Sequence, residues 1–379
     1  MSTIESFAIT RFAFRRDRVI GDSQVGVDVC NVAVLELVDG DGRVGTGWLL
    51  NLFNALPDKS ELERVFRTEA LPGLVDQNPA ALIHRIARPR GGNQRALPHG
   101  FGEAIDQALW DLAAQQAGLP LYRYLGGSDP RVRAYASGLD FHLSDAHYVE
   151  FFAQARALGF EAFKIKIGHP DLAWDLHRLR LLKEAVGPHP IIMVDANEAW
   201  TPKQAIRALH AYKDAGHDIL WIEDPCLRDD FEGLRQVGEA VPFTHLNTGE
   251  YLDLSGKRRL IEARAVDFLN VHGKVSDVLR AAWLAAEYGV RITLGNTFLE
   301  VGVHIAAALP EADWLEYSFQ NYNHLAATPV RFEHGYAVAP DVPGHGLRLS
   351  DAARRDHAVD TVAEGLRPPD PPPAPIRLS

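Results

Sequence analysis

A chain of 379 residues, 46% of them hydrophobic, is long enough for a sizeable core and about two or three domains, which argues against a disordered or fibrous protein. Fifty acidic residues against thirty-nine basic ones give a formal charge of −11, and no Lys/Arg run is long enough to contact nucleic acid, so an anionic substrate must be attracted locally. Cys30 and Cys226 belong to no metal-spaced or redox pair, the basic residues of the N-terminus follow its apolar ones, and no stretch approaches eighteen apolar residues; these features read as a soluble, cytoplasmic protein without a membrane partner.

In the first fifty residues, apolar runs at Val32 to Val38 and Val44 to Leu50 flank Asp39-Gly-Asp-Gly42, the signature of a hairpin. Gly40, Gly42 and Gly45 match G-x-G-x-x-G formally, but a strand follows rather than a helix, and Asp39 and Asp41 would repel a pyrophosphate. From about Glu61 to Gln116 the apolar spacing is helical. Beyond Leu125-Gly-Gly127 short β-branched runs alternate with helical segments, as in repeated βα units.

Strands are expected at Val132 to Gly138, Ala162 to Gly168, Ile191 to Asn197, Ile219 to Pro225, Phe243 to Glu250, Val266 to His272, Arg291 to Asn296 and Trp314 to Ser318, enough to close a parallel barrel. Helices such as Leu172 to Val186, Lys203 to Ala215, Asp229 to Ala240, Ser276 to Tyr288 and Val301 to Leu309 fill most gaps. After Phe319 the chain reads as irregular, ending in a Pro-rich, extended tail over Arg367 to Pro375.

Functional groups of a βα barrel come from the C-terminal ends of its strands. Those ends carry Lys164 and Lys166, Asp195 and Asn197, Glu223, Glu250, His272, Asn296 and Glu316. Asp195, Glu223 and Glu250 are each about one βα unit apart, so closure brings three mutually repelling carboxylates onto one patch. A hard divalent cation such as Mg²⁺, bound by a few carboxylates and completed by water and substrate oxygens, resolves that repulsion. Lys164 and Lys166, two apart on one strand, project to the same face. Their repulsion and desolvation are expected to bring at least one pKa down toward neutrality, giving a lysine that accepts a proton beside a cation that holds an anionic substrate.

The sequence resembles the enolase superfamily, and within it the mandelate racemase and muconate lactonizing enzyme group. The resemblance rests on Ala104-Ile-Asp-Gln-Ala-Leu-Trp-Asp-Leu112, Leu119-Pro-Leu-Tyr122 with Leu125-Gly-Gly127, Lys164-x-Lys166, Val194-Asp-Ala-Asn197, Ile222-Glu-Asp-Pro225, Gly249-Glu250 and Trp314-Leu-Glu-Tyr317, and covers nearly the whole chain. It implies an α/β fold, a modified TIM barrel of the (β/α)7β type over residues 128–319, capped by an α+β domain of residues 1–127 completed by 320–379. It further implies that Asp195, Glu223 and Glu250 ligate Mg²⁺, that the metal grips the substrate carboxylate, and that Lys166, supported by Lys164, removes the α-proton to give an enediolate. A homo-oligomer is implied as well.

The sequence departs from the mandelate-racemase pattern on strands six and seven, where such members carry an Asp and a His acting as a dyad. Here His272 and Asn296 stand there, and Asn270-Val-His272 occupies the frame in which muconate-type members have Asn-x-Lys. His272 is thus the candidate second acid/base, with Asn296 orienting it and Lys274 as rival if the register slips by two. Loss of a β-hydroxyl from the enediolate, with imidazolium as acid, makes a sugar-acid dehydratase the favoured expectation. A racemase or epimerase of a 2-hydroxy or amino acid, with Lys166 and His272 on opposite sides of the α-carbon, is the alternative; a non-catalytic metal- and carboxylate-binding protein is a third. Specificity is expected from capping loops at Arg15 to Val27 and Leu49 to Asp58, where Arg15, Arg16 and Arg18 either meet a distal substrate group or form a solvated basic face, and from His142.

Overall fold

Alternation of apolar side chains makes β1 (Ile4–Gly21), β2 (Gly26–Asp39) and β3 (Val44–Leu50) an antiparallel sheet in that order. The computed structural model describes residues 2–50, 56–86, 97–295, 301–319, 323–356 and 358–359. The expected hairpin joins β2 to β3: Asp39 Oδ1 accepts the Asp41 and Arg43 amides at 3.1 and 2.9 Å, and Gly42 takes φ +77°. Helices α1 (Lys59–Val65), α2 (Pro79–Ile86) and α3 (Phe101–Gln116) cover one face of this sheet, burying Leu35, Leu37, Phe66, Ile105 and Leu109 between them. The approach of α3 to β3 is close enough that a Cβ on Gly47 would stand 1.8 Å from the Ala104 carbonyl oxygen, so only glycine fits.

One expectation for this region fails. Arg15 to Val27 is mostly strand, with residues 22–25 alone left as the loop between β1 and β2. The alternation was disguised because its inward positions are Arg16, Arg18 and Ile20, all buried. Arg18 donates to the carbonyls of Ser318 and Phe319 at 3.1 and 2.9 Å, and its guanidinium lies 4.7 Å from the Phe151 ring centroid. The solvated basic face therefore reduces to Arg15, paired with Asp28 at 3.1 Å. In the second expected loop, Leu49 and Leu50 belong to β3, and residues 51–55 lie outside the described set.

After the short α4 (Leu121–Tyr124), eight strands alternate with helices: β4 (Arg131–Ser137), α5 (Asp145–Ala157), β5 (Ala162–Lys166), α6 (Leu172–Val186), β6 (Ile191–Asp195), α7 (Pro202–Asp214), β7 (Ile219–Glu223) and α8 (Phe231–Ala240). There follow β8 (His245–Thr248), α9 (Leu254–Glu262), β9 (Phe268–Val271), α10 (Val275–Glu287), β10 (Arg291–Leu294), α11 (Gly302–Ala308) and β11 (Ala312–Tyr317). Neighbouring strands pair in parallel and β11 closes onto β4, giving an eight-stranded barrel. Most of the expected strands overran these by one or two residues; after β6 and β7 the reason is that Asn197, Glu198 and Asp224 take positive φ and turn the chain out of the sheet.

The segment after Phe319 is more ordered than its sequence suggested. Strands β12 (Arg331–Glu333) and β13 (Tyr336–Val338) form a hairpin whose second strand pairs antiparallel with β4, and α12 (Asp351–Asp356) follows. Three-residue strands are too short to carry a readable period. The chain then returns to the N-terminal sheet, where the Val359 amide donates to the Arg11 carbonyl at 2.7 Å. The Pro-rich stretch 367–375 lies outside the described residues.

Two buried histidines tie the layers together. His304 of α11 accepts the Tyr122 amide on Nδ1 at 3.3 Å, so its Nε2 carries the proton and donates to the His345 carbonyl at 2.9 Å. His345 in turn accepts the Leu347 amide on Nδ1 at 3.1 Å and donates from Nε2 to the Thr46 carbonyl of β3 at 2.8 Å. Burial pushes the His304 imidazole down to about 3.

Candidate active site

Inside the barrel, side chains two apart along a strand share a face. A lower layer of Tyr135, Met193, Trp221 and Trp314 packs together, the Tyr135 and Trp221 ring centroids 5.3 Å apart, and closes the barrel floor. Two residues further along the same strands come Ser137, Asp195, Glu223 and Glu316, all buried. Polar groups thus stand on an aromatic floor, cut off from bulk water below, where charges interact strongly.

The register aligns strand ends: Lys166 pairs with Asp195, and Asp195 with Glu223. Lys164 Nζ donates to both Glu223 oxygens at 2.9 and 3.0 Å, and lies 3.0 Å from Glu316 Oε1 and 3.4 Å from Asp195 Oδ2. Lys166 Nζ donates to Asp195 Oδ2 at 2.5 Å and to Asn197 Oδ1 at 2.7 Å, and its backbone amide donates to the buried Asp140 at 3.1 Å. The two lysines share the inner face, as expected. Their charge state is not the expected one: burial pulls both ammoniums down, but Glu223 and Glu316 around Lys164, and Asp195 beside Lys166, outweigh it and raise both. For Lys166 the repulsion from Lys164 is present but smaller than the pull of the facing Asp195 carboxylate.

Those carboxylates share the imbalance. Burial and neighbouring acids push Glu223 well up and Glu250 up to about 7, while for Asp195 burial is overcome by Lys166 and Lys164, which hold it below the usual range. Among the described residues no three His, Cys, Asp or Glu side chains surround a common point as they stand, since Asp195 and Glu223 are turned onto the ammoniums. The donor set nevertheless fits magnesium: oxygen-only ligands from the ends of consecutive strands, two of them held up by burial and by the acids around them.

His272 follows directly on β9, so the register does not slip to Lys274; that lysine faces Asp277 at 3.7 Å. The His272 ring meets the Tyr251 ring edge-on, centroids 5.6 Å apart. Burial lowers its pKa, opposed first by the carboxylate of Glu103, which α3 brings to it. In the ring of eight strands β9 is four places from β5 in either direction, so His272 and Lys166 stand on opposite walls of the mouth.

Other expected site residues are distributed unevenly. Asn197 and Glu316 join the lysines. His142 is exposed and accounts for itself by bonding the Val25 carbonyl at 2.8 Å, holding the 22–25 loop. That loop reaches the mouth through Gln24, which donates to the Asn197 carbonyl at 2.5 Å. Arg16 is buried on β1, and Asn296 lies outside the described residues. Sequence reasoning missed Asn270, whose Nδ2 donates to Glu223 Oε1 at 3.0 Å; its position two before His272 on an inward-facing strand was the available signal. It also missed Glu103, which no barrel-strand argument could find because it comes from the cap.

Residues 147–353 match the family model described as enolase C-terminal domain-like. Over 257 residues the chain is 35% identical to L-talarate/galactarate dehydratase of Salmonella typhimurium, a match spanning 66% of this chain and 63% of that enzyme. A provisionally assigned mandelate racemase from Mesorhizobium loti superposes with a TM-score of 0.93 at 54% identity, covering 100% of both chains. A racemase from Streptomyces coelicolor, solved with bound magnesium, superposes with a TM-score of 0.82 at 27% identity over 94% of this chain and 100% of that one.

Proposed function

The chain belongs to the enolase superfamily, and from that premise we propose that it removes the α-proton of a carboxylate substrate and then expels a β-hydroxyl, as a sugar-acid dehydratase giving a 2-keto-3-deoxy acid. The observation that carries the reading is that Lys166 and His272 stand at the ends of strands on opposite walls of a mouth lined with carboxylates. Magnesium, when bound by Asp195, Glu223 and Glu250, supplies a Lewis acid for the substrate carboxylate and neutralises the charge that keeps Lys166 an ammonium.

Lys166, released from Asp195, takes the α-proton on Nζ, with Asn197 holding the amine in place. Lys164 stays charged between Glu223 and Glu316 and binds the substrate carboxylate. His272 delivers a proton to the departing hydroxyl; burial disfavours its imidazolium, and the carboxylate of Glu103 only partly opposes that. Arg16, buried on β1, and His142, which holds the 22–25 loop, are given supporting roles, and Asn296 substrate contact or support.

The opposite-wall placement of Lys166 and His272 also favours a second reading, epimerisation, in which one group removes the proton and the other returns it on the far face. Racemases and epimerases occur beside dehydratases among the relatives, as with L-Ala-D/L-Glu epimerase of Clostridium acetobutylicum. The two readings divide on product: purified protein with Mg²⁺ and a panel of aldonic and aldaric acids is expected to yield 2-keto-3-deoxy acids. Inversion of configuration without keto acid, in that panel or with dipeptides and amino-acid derivatives, would replace dehydration by epimerisation.

A further inference from the structure

Lys257, in the first turn of α9, is 6% exposed, and its amine is turned onto backbone carbonyls. Burial brings its ammonium down to about 8, opposed first by the nearby carboxylate of Glu250. Nζ donates to the Gly249 carbonyl and, at 2.8 Å, to the Leu252 carbonyl. These carbonyls straddle Glu250 and Tyr251, in a turn already closed by the Leu252 amide on the Gly249 carbonyl at 3.1 Å and begun at φ +111° on Gly249. A single side chain therefore ties both ends of the turn that presents Glu250. Asp253 fixes the amine's own origin by capping α9 through the Gly256 amide at 2.7 Å.

Glu250 needs such a tie more than its fellows. Asp195 and Glu223 terminate β6 and β7 and inherit the rigidity of the sheet, whereas β8 ends at Thr248 and Glu250 stands beyond it. We propose that Lys257 is a positioning residue for the cation site, fixing the Gly249–Leu252 turn so that the Glu250 carboxylate meets the cation already aligned. This rests on the reading of Asp195, Glu223 and Glu250 as magnesium ligands.

The test is calorimetric titration of the metal-free full chain with Mg²⁺, alongside its thermal melt. K257M removes the donor nitrogen at similar volume, K257Q keeps an uncharged donor nitrogen on a shorter side chain, and K257R keeps charge and donors; E223Q is the control for the ligand set. Weakened Mg²⁺ affinity by about 10- to 100-fold in K257M, a smaller loss in K257Q and recovery in K257R are expected, as for the loss of an outer hydrogen bond to a ligand. Should K257M fail to fold, K257Q carries the comparison. A folded K257M or K257Q with wild-type affinity, or with only a lowered melting temperature, overturns the proposal and leaves the ligand reading intact; E223Q binding as tightly as wild type overturns the ligand reading instead.

Discussion

At the scale of single residues, the site is a charge balance among groups none of which is comfortable alone. Lys164 is nearly enclosed by Glu223, Glu316 and Asp195, so its removal leaves buried carboxylates without compensation. K164M is therefore expected to cost the metal-free protein about 3 kcal/mol in urea unfolding, with Mg²⁺ recovering much of the loss; an unchanged midpoint would mean that the carboxylates simply take up protons. Asn270 is a milder case. Its amide is one of the donors that aim Glu223, and N270A is expected to lower kcat about tenfold in the product assay, with little change in the melt.

Elements differ in how much of them the sequence reveals. The barrel is legible because each inner position is apolar low on the strand and polar two residues later, as in Met193 and Asp195, Trp221 and Glu223, or Trp314 and Glu316. Strand β1 is not, since its buried positions are arginines, and the β12–β13 hairpin is too short for any period to show. Candidate ligands and lysines on strands could be read from spacing, whereas Glu103, which α3 brings to His272, and Lys257, which α9 brings to the Gly249–Leu252 turn, required the packing of those helices to be known. The contact of α3 with β3 is the rigid joint of the cap. G47A would drive a methyl into the Ala104 carbonyl and is expected to destabilise by about 3 kcal/mol in chemical unfolding; a wild-type midpoint would show that the helix can retreat freely.

Across the whole molecule, stability is linked to pH through His304. Its imidazole is held neutral, with an ordinary value of 6.5 lowered to about 3, so the unfolded chain binds the proton first on acidification. The contribution is full above pH 6.5 and falls as the pH drops toward 3, by up to about 1.4 kcal/mol per pH unit. Asp106, Asp140 and Asp175, raised to about 6 by burial, act in the opposite sense, because the folded state protonates them first. A comparison of wild type with H304Q in urea at pH 7.5, 6.5 and 5.5 cancels those acids. The stability difference should shrink on acidification, and a constant difference would contradict the neutral assignment.

Abstraction of a proton next to a carboxylate is the step proposed for the barrel mouth, and solvent exchange reads it before any choice between elimination and epimerisation. In D₂O with Mg²⁺, wild type is expected to place deuterium at the α-carbon of substrate or to form keto acid, and K166A to lose the activity by about 10²-fold or more. Neither deuterium nor keto acid across sugar acids, 2-hydroxy acids and amino-acid derivatives, in protein shown by titration to hold Mg²⁺, would contradict it.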